Sequence, residues 1–138
     1  MLQNKSIRQF SRFGIAGTVG FLTDAGAVVI STTVFGFGPI PAQVIGFSIA
    51  VVLTWLINRY WTFSENSSNR WLLELTRYIA ANSLGATINN TVYIALVILI
   101  SVFRHNPTYA VAVGSLVGMV SNFIMSRKYA FQDKTISN

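Results

Sequence analysis

Thr54-Trp55-Leu56-Ile57-Asn58-Arg59-Tyr60-Trp61-Thr62-Phe63 closes an apolar run with an arginine and a cluster of aromatic residues. Ser121-Asn122-Phe123-Ile124-Met125-Ser126-Arg127-Lys128-Tyr129-Ala130-Phe131 repeats the arrangement near the C-terminus. Trp55 aligns with Phe123, Arg59 with Arg127, Trp61 with Tyr129 and Phe63 with Phe131, each pair 68 residues apart. At a spacing of 65, Arg12-Phe13 matches Arg77-Tyr78, Gly20 matches Gly85 and Asp24 matches Asn89. Self-similarity at a nearly fixed period predicts one unit used twice, residues 8–63 and 73–131.

Composition sets the solvent. Of the 138 residues, 52% are hydrophobic and 10% charged, a balance that suits a bilayer better than water. The absence of cysteine removes disulfides, thiolate nucleophiles and cysteine-based metal sites. One histidine and four carboxylates, Asp24, Glu65, Glu74 and Asp133, leave little for catalysis or metal binding, so neither an enzyme, a cofactor nor a metal is expected. A net charge of +6 would suggest nucleic acid on a soluble fold. Here the basic residues flank apolar runs, and anionic lipid headgroups are the expected partner, with no nucleic acid.

Four apolar runs follow one another, over residues 13–34, 42–60, 78–103 and 108–126. A helix needs about 20 residues to cross the hydrocarbon core. The runs are separated by Gly36-Phe37-Gly38-Pro39-Ile40-Pro41, by a polar loop over 64–70 with an amphipathic lead-in over 71–77, and by Arg104-His105-Asn106-Pro107. The fold expected is therefore all-α and integral to the membrane, four transmembrane helices built as two parallel helical hairpins.

Four crossings put both termini and the central loop on one side. That side holds Lys5, Arg8, Arg12, Arg59, Arg70, Arg77, Arg127, Lys128 and Lys134; the other holds Arg104. Such a bias predicts cytoplasmic termini. Trp61, Phe63, Trp71, Tyr129 and Phe131 fall where an interfacial aromatic belt would lie. Ala25-Gly26-Ala27 imitates a signal-peptide cleavage site, but cutting there would destroy the first unit. Each unit crosses an even number of times, so the two should point the same way.

Gly17, Gly20 and Asp24 share a helix face, and Asn82, Gly85 and Asn89 reproduce it. An ionised aspartate near mid-bilayer costs at least ~2.5 kcal/mol, so Asp24 should be neutral, partnered or beside water. It is either a titrating or substrate-contacting group in a cavity or a carboxyl that joins two helices. Asn89 and Asn90 are open to the same alternatives. Ala42, Gly46, Ala50, Thr54 and Asn58 form a ridge, as do Ala110, Gly114, Gly118, Asn122 and Ser126. Each starts small and becomes polar towards Arg59 or Arg127, where a guanidinium fork can bind a lipid phosphate in two places. Arg70 and Arg77 are read as topology signals, and His105 as a loop residue.

Asn58-Arg59-Tyr60-Trp61-Thr62-Phe63, the opening Arg12-Phe13-Gly14-Ile15-Ala16-Gly17 with Gly20, and Asn122-Phe123 with Arg127-Lys128-Tyr129-Ala130-Phe131 resemble the GtrA-like family of small four-helix membrane proteins. The likeness extends over roughly residues 8–131, and departs from the family pattern at Thr54-Trp55, where Asn-Phe is usual. The resemblance implies work in bacterial surface-polysaccharide or teichoic-acid glycosylation, in the bacterial cytoplasmic membrane, on polyprenyl phosphate or the sugars it carries.

The expected function is the binding and flipping of a polyprenyl-phosphate-linked sugar. Arg59, Arg127, Lys128, Asn58, Asn122 and Ser126 would hold the phosphate, and a groove of Asp24, Asn89, Asn90, Thr54 and Trp55 would pass the headgroup. The expected partners are that lipid, a second copy of the chain and a membrane glycosyltransferase. The alternatives are a proton-coupled exporter resembling the small multidrug-resistance proteins, with Asp24 as the shared site, and an adaptor that docks a glycosyltransferase without transporting.

Overall fold

A computed structural model describes residues 2–131; Asp133 and Lys134 lie outside the described residues. The described residues fall into two compact units, 2–67 and 68–131. Each is taken by itself.

In the first unit, helix α1 (Leu2–Thr33) is followed by α2 (Pro39–Ile57). With 32 residues, α1 extends about 48 Å at 1.5 Å per residue, more than the hydrocarbon core needs. The basic segment through Arg12 is therefore the outer part of the same helix. Gly36 ends the turn at φ +68°, a left-handed conformation that favours glycine, and the Phe37 N–H reaches back to the Ser31 carbonyl at 3.0 Å. Pro39 then opens α2 at a position where its missing N–H costs nothing.

In the second unit, α3 (Trp71–Leu99) is followed by a single turn α4 (Ser101–His105) and by α5 (Pro107–Met125). The expected lead-in over 71–77 is continuous with α3, started by Glu74, whose carboxylate accepts the Ser68 N–H at 2.7 Å. The third apolar run does not continue unbroken to residue 103. Ile100 is extended, and Arg104 donates to the carbonyls of Val97 at 3.3 Å and Ile98 at 2.5 Å, satisfying groups that the helix end exposes. Neither proline nor glycine marks the break, so the sequence gives no sign of it.

Both units finish in a π turn, Asn58–Thr62 in the first and Ser126–Ala130 in the second. Its closing bonds run from the Phe63 N–H to the Asn58 carbonyl at 2.7 Å and from the Phe131 N–H to the Ser126 carbonyl at 2.8 Å. The wider turn brings Phe63 and Phe131 inward, each 1% exposed. Phe63 tilts against Phe13 with centroids 6.2 Å apart, and Phe131 meets Tyr78 edge-on at 5.9 Å. These two phenylalanines are core residues and not part of an aromatic belt; Trp61, Trp71 and Tyr129 remain exposed.

Four helices are long and apolar enough to span a membrane, and no more than 28% of any such window is buried inside the protein. Phe21, Leu22, Ile40 and Leu99 are all more than 60% exposed, a surface suited to lipid. Exposed hydroxyls on these helices are already satisfied: Thr18 donates to Gly14, Thr23 to Val19, Ser48 to Val44 and Thr87 to Ser83, each to a carbonyl four residues back. A side chain that bonds its own helix leaves no unpaired polar group in hydrocarbon.

Candidate functional site

The hairpins are held by polar side chains seated on glycines. A Cβ at Gly20 would strike the Thr54 side chain, and one at Gly46 would strike the Asp24 carboxyl. In the second unit the corresponding collisions are Gly85 with Asn122 and Gly114 with Asn89, the last at 2.6 Å from Oδ1. Small residues thus let the backbones close and give the polar side chains a seat. Thr54 and Asn122 do the same packing job, each against a glycine of the facing helix. The Thr54 hydroxyl donates within its own helix, to Ala50 at 2.9 Å or Val51 at 3.1 Å.

Asp24 lies in this packing, half-buried, with the Gln43 amide 3.3 Å from each carboxylate oxygen. Its seat at Gly46 is 13 residues before Arg59, about 20 Å along a helix. The same spacing separates Gly114, under Asn89, from Arg127. Asn90 is exposed and donates to its own Ala86 carbonyl at 3.0 Å. Gly17, expected on the packed face, is exposed with nothing near it. A step of three residues falls about 60° short of a full rotation and a step of four overshoots by about 40°, so Gly17 is about 20° from Asp24 and about 60° from Gly20, and its open surroundings do not follow from its angular position alone.

The chemistry gathers at the π turns. Trp55 is 6% exposed and carries the Arg59 guanidinium 5.6 Å from its ring centroid; Tyr60 flanks the same cation at 5.8 Å. Asn58 is buried at the start of the turn, and Arg59 is half-exposed. In the second unit Ser126 is fully buried, Asn122 is half-buried, and Arg127 and Lys128 are exposed, with Lys128 5.4 Å over Tyr129. The structure therefore joins Trp55, Asn58 and Arg59 into one end and Ser126, Arg127 and Lys128 into the other. Asp24, Asn89, Thr54 and Asn122 belong to the helix packing.

The first unit adds residues that sequence reasoning passed over. Arg12 donates to the Trp61 carbonyl at 2.9 Å and lies 5.2 Å from that ring centroid. Lys5 pairs with Glu65 at 2.6 Å. A shallow pocket of about 20 Å³ is lined by Lys5, Arg8, Gln9, Arg12, Thr62, Ser64 and Glu65. The Lys5 hydrogen bond and charge, helped by the charge of Arg8 and opposed by slight desolvation, hold the Glu65 carboxyl below its ordinary 4.5. The signal available in the sequence was the spacing of Lys5, Arg8 and Arg12, which share one helix face.

Among known proteins, no curated sequence matches closely enough to count as a relative. The family model for the GtrA/DPMS transmembrane domain matches residues 12–131, nearly the whole described chain. Its reach takes in both glycine-seated hairpins and both π turns, and with four helices of membrane-spanning length and composition the chain is a multi-pass membrane protein belonging to the GtrA/DPMS transmembrane-domain family.

Proposed function

We propose that this protein binds polyprenyl phosphate, or a sugar linked to it, by the phosphate, and moves it across the bacterial cytoplasmic membrane for cell-surface polysaccharide glycosylation. It catalyses no covalent step in this reading. Membership of the GtrA/DPMS family supports work in glycosylation. The observation that carries the reading is the Arg59 guanidinium, held between the faces of Trp55 and Tyr60 at the end of a membrane-spanning helix. Aromatic contact fixes a planar cation, and such a cation suits a phosphate at the lipid interface. Arg127 and Lys128 supply exposed charge at the same point of the second unit.

Both ends would face the cytoplasm, as the distribution of arginine and lysine favours. The polyprenyl chain would stay in lipid, against the apolar outer faces. A second copy of the chain and a membrane glycosyltransferase are the proposed protein partners.

The test is reconstitution of the purified protein in vesicles with a fluorescent polyprenyl-phosphate sugar. The intact protein should scramble it between leaflets, and the Arg59→Ala, Arg127→Ala double variant should not. Equal scrambling by both would overturn the role of the arginines; binding without scrambling would identify an adaptor.

A further inference from the structure

The pocket at the outer end of α1 adjoins the first arginine end, sharing Thr62 with its π turn, but does not include Arg59. Gln9 and Thr62 line it, are 5% and 4% exposed, and their Oε1 and Oγ1 atoms have no hydrogen-bond partner among the described residues. Buried polar atoms are nearly always paired, so two unpaired ones on residues that line a single pocket point to a polar ligand there. The amide and hydroxyl can each donate, once the Gln9 amide is turned so that its NH₂ faces inward. A volume of about 20 Å³ is enough to seat one oxygen-sized atom.

The charge at the rim is specific. Lys5, Arg8 and Arg12 against Glu65 leave a surplus of two positive charges, close to the charge of −1.5 to −2, roughly, that a phosphomonoester carries near neutral pH.

The second unit gives an internal comparison. Gln9 stands four residues before Phe13, which packs on Phe63; Glu74 stands four residues before Tyr78, which packs on Phe131. At the place where the first unit has a neutral amide lining a pocket, the second has a carboxyl group, 1% exposed and bonded to the Ser68 N–H. In the second unit a side-chain oxygen of the chain itself is bonded there.

We infer that the pocket between Gln9 and Thr62 is a second anion site that takes one oxygen of a phosphomonoester, with Arg8 and Arg12 as its cations and Glu65 as the competing internal anion. The inference deepens the proposed function and rests on it only for the expectation that the phosphate arrives on a prenyl lipid. Binding would draw Lys5 away from Glu65 towards the phosphate. Phosphodiester headgroups, which carry a single charge, fit less well.

The experiment measures affinity for farnesyl phosphate, inorganic phosphate and phosphatidylglycerol, with the full chain in phosphatidylcholine nanodiscs. Thr62→Val and Arg8→Gln should each weaken farnesyl phosphate about fivefold or more, as loss of a charge-assisted contact does. Thr62→Ser, which keeps the hydroxyl, should restore binding. Glu65→Gln should tighten it about threefold, since it removes an exposed competing charge. Phosphatidylglycerol binding should not follow this order. The same order with inorganic phosphate at equal affinity assigns a soluble phosphate; at much weaker affinity, a lipid. Should Glu65→Gln, Thr62→Val and Arg8→Gln all leave farnesyl phosphate affinity unchanged while Arg59→Ala abolishes it, the second site is wrong and the proposed function stands. Absence of farnesyl phosphate binding to the unaltered protein would overturn both.

Discussion

Arg12 holds Trp61 twice, by a 2.9 Å hydrogen bond to its carbonyl oxygen and by a guanidinium 5.2 Å from its ring centroid. A π turn widens the helix and leaves carbonyls without their usual partners, and this arginine, 49 residues earlier in the chain, satisfies one of them. The contact ties the outer end of α1 to the element that carries Arg59. Arg12→Ala should lower stability by about 1 kcal/mol, the worth of one exposed charge-assisted bond with a cation–π contact. Arg12→Lys should recover less than half, because the ammonium lacks the fork. Thermal midpoints in detergent would measure both, and an Arg12→Lys variant as stable as the native chain would contradict the contact.

Glycines on these helices are not equivalent. At Gly118 a Cβ would fall 2.9 Å from Asn89 Cβ and 3.1 Å from the Gly85 carbonyl oxygen, and a backbone cannot step aside. Gly118→Ala is expected to destabilise by about 1–3 kcal/mol. Gly17 and Gly26 have open space around them, so alanine there should be neutral or stabilising by up to about 1 kcal/mol, the gain in helix propensity. Unfolding by denaturant would rank the three, and equal losses at all of them would refute the packing.

Ser126 is fully buried and its hydroxyl has no hydrogen-bond partner among the described residues. Ser126→Ala should therefore be neutral or stabilise by about 1 kcal/mol, since an unsatisfied buried hydroxyl costs free energy. A marked loss of stability would show that the hydroxyl is engaged.

For Glu65 the sign of the pH effect is fixed by its lowered pKa. A carboxyl held below its unfolded value contributes stability that is present above that value and disappears as pH falls through the folded one. The Lys5–Glu65 bridge should survive at pH 4.5 and open only at lower pH. Carbon NMR of the Glu65 carboxyl, with and without Lys5→Met, would follow it; the variant should titrate nearer to 4.5.

Much of the architecture was readable because bilayer-spanning helices need long apolar runs, and these are visible without any tertiary information. The small-residue ridges in α2 and α5 were legible too, since spacing by four keeps Ala42, Gly46 and Ala50 on one face of α2 and Ala110, Gly114 and Gly118 on one face of α5. The break at Ile100 was not, because it depends on Arg104 turning back on carbonyls and not on a breaker residue. Phe63 and Phe131 were misplaced for a similar reason: a π turn rotates the residues after it, and a count based on 3.6 residues per turn misses that. Arg12 read as a topology signal because its partner is a backbone carbonyl, which leaves no trace in side-chain identity.

The polar seats on glycine act as teeth. Thr54 over Gly20 and Asp24 over Gly46 engage in opposite directions across the first hairpin, as do Asn122 over Gly85 and Asn89 over Gly114 in the second. Two helices meshed in this way cannot slide axially past one another unless one first lifts clear. Each hairpin is then a stiff plank that moves as one body.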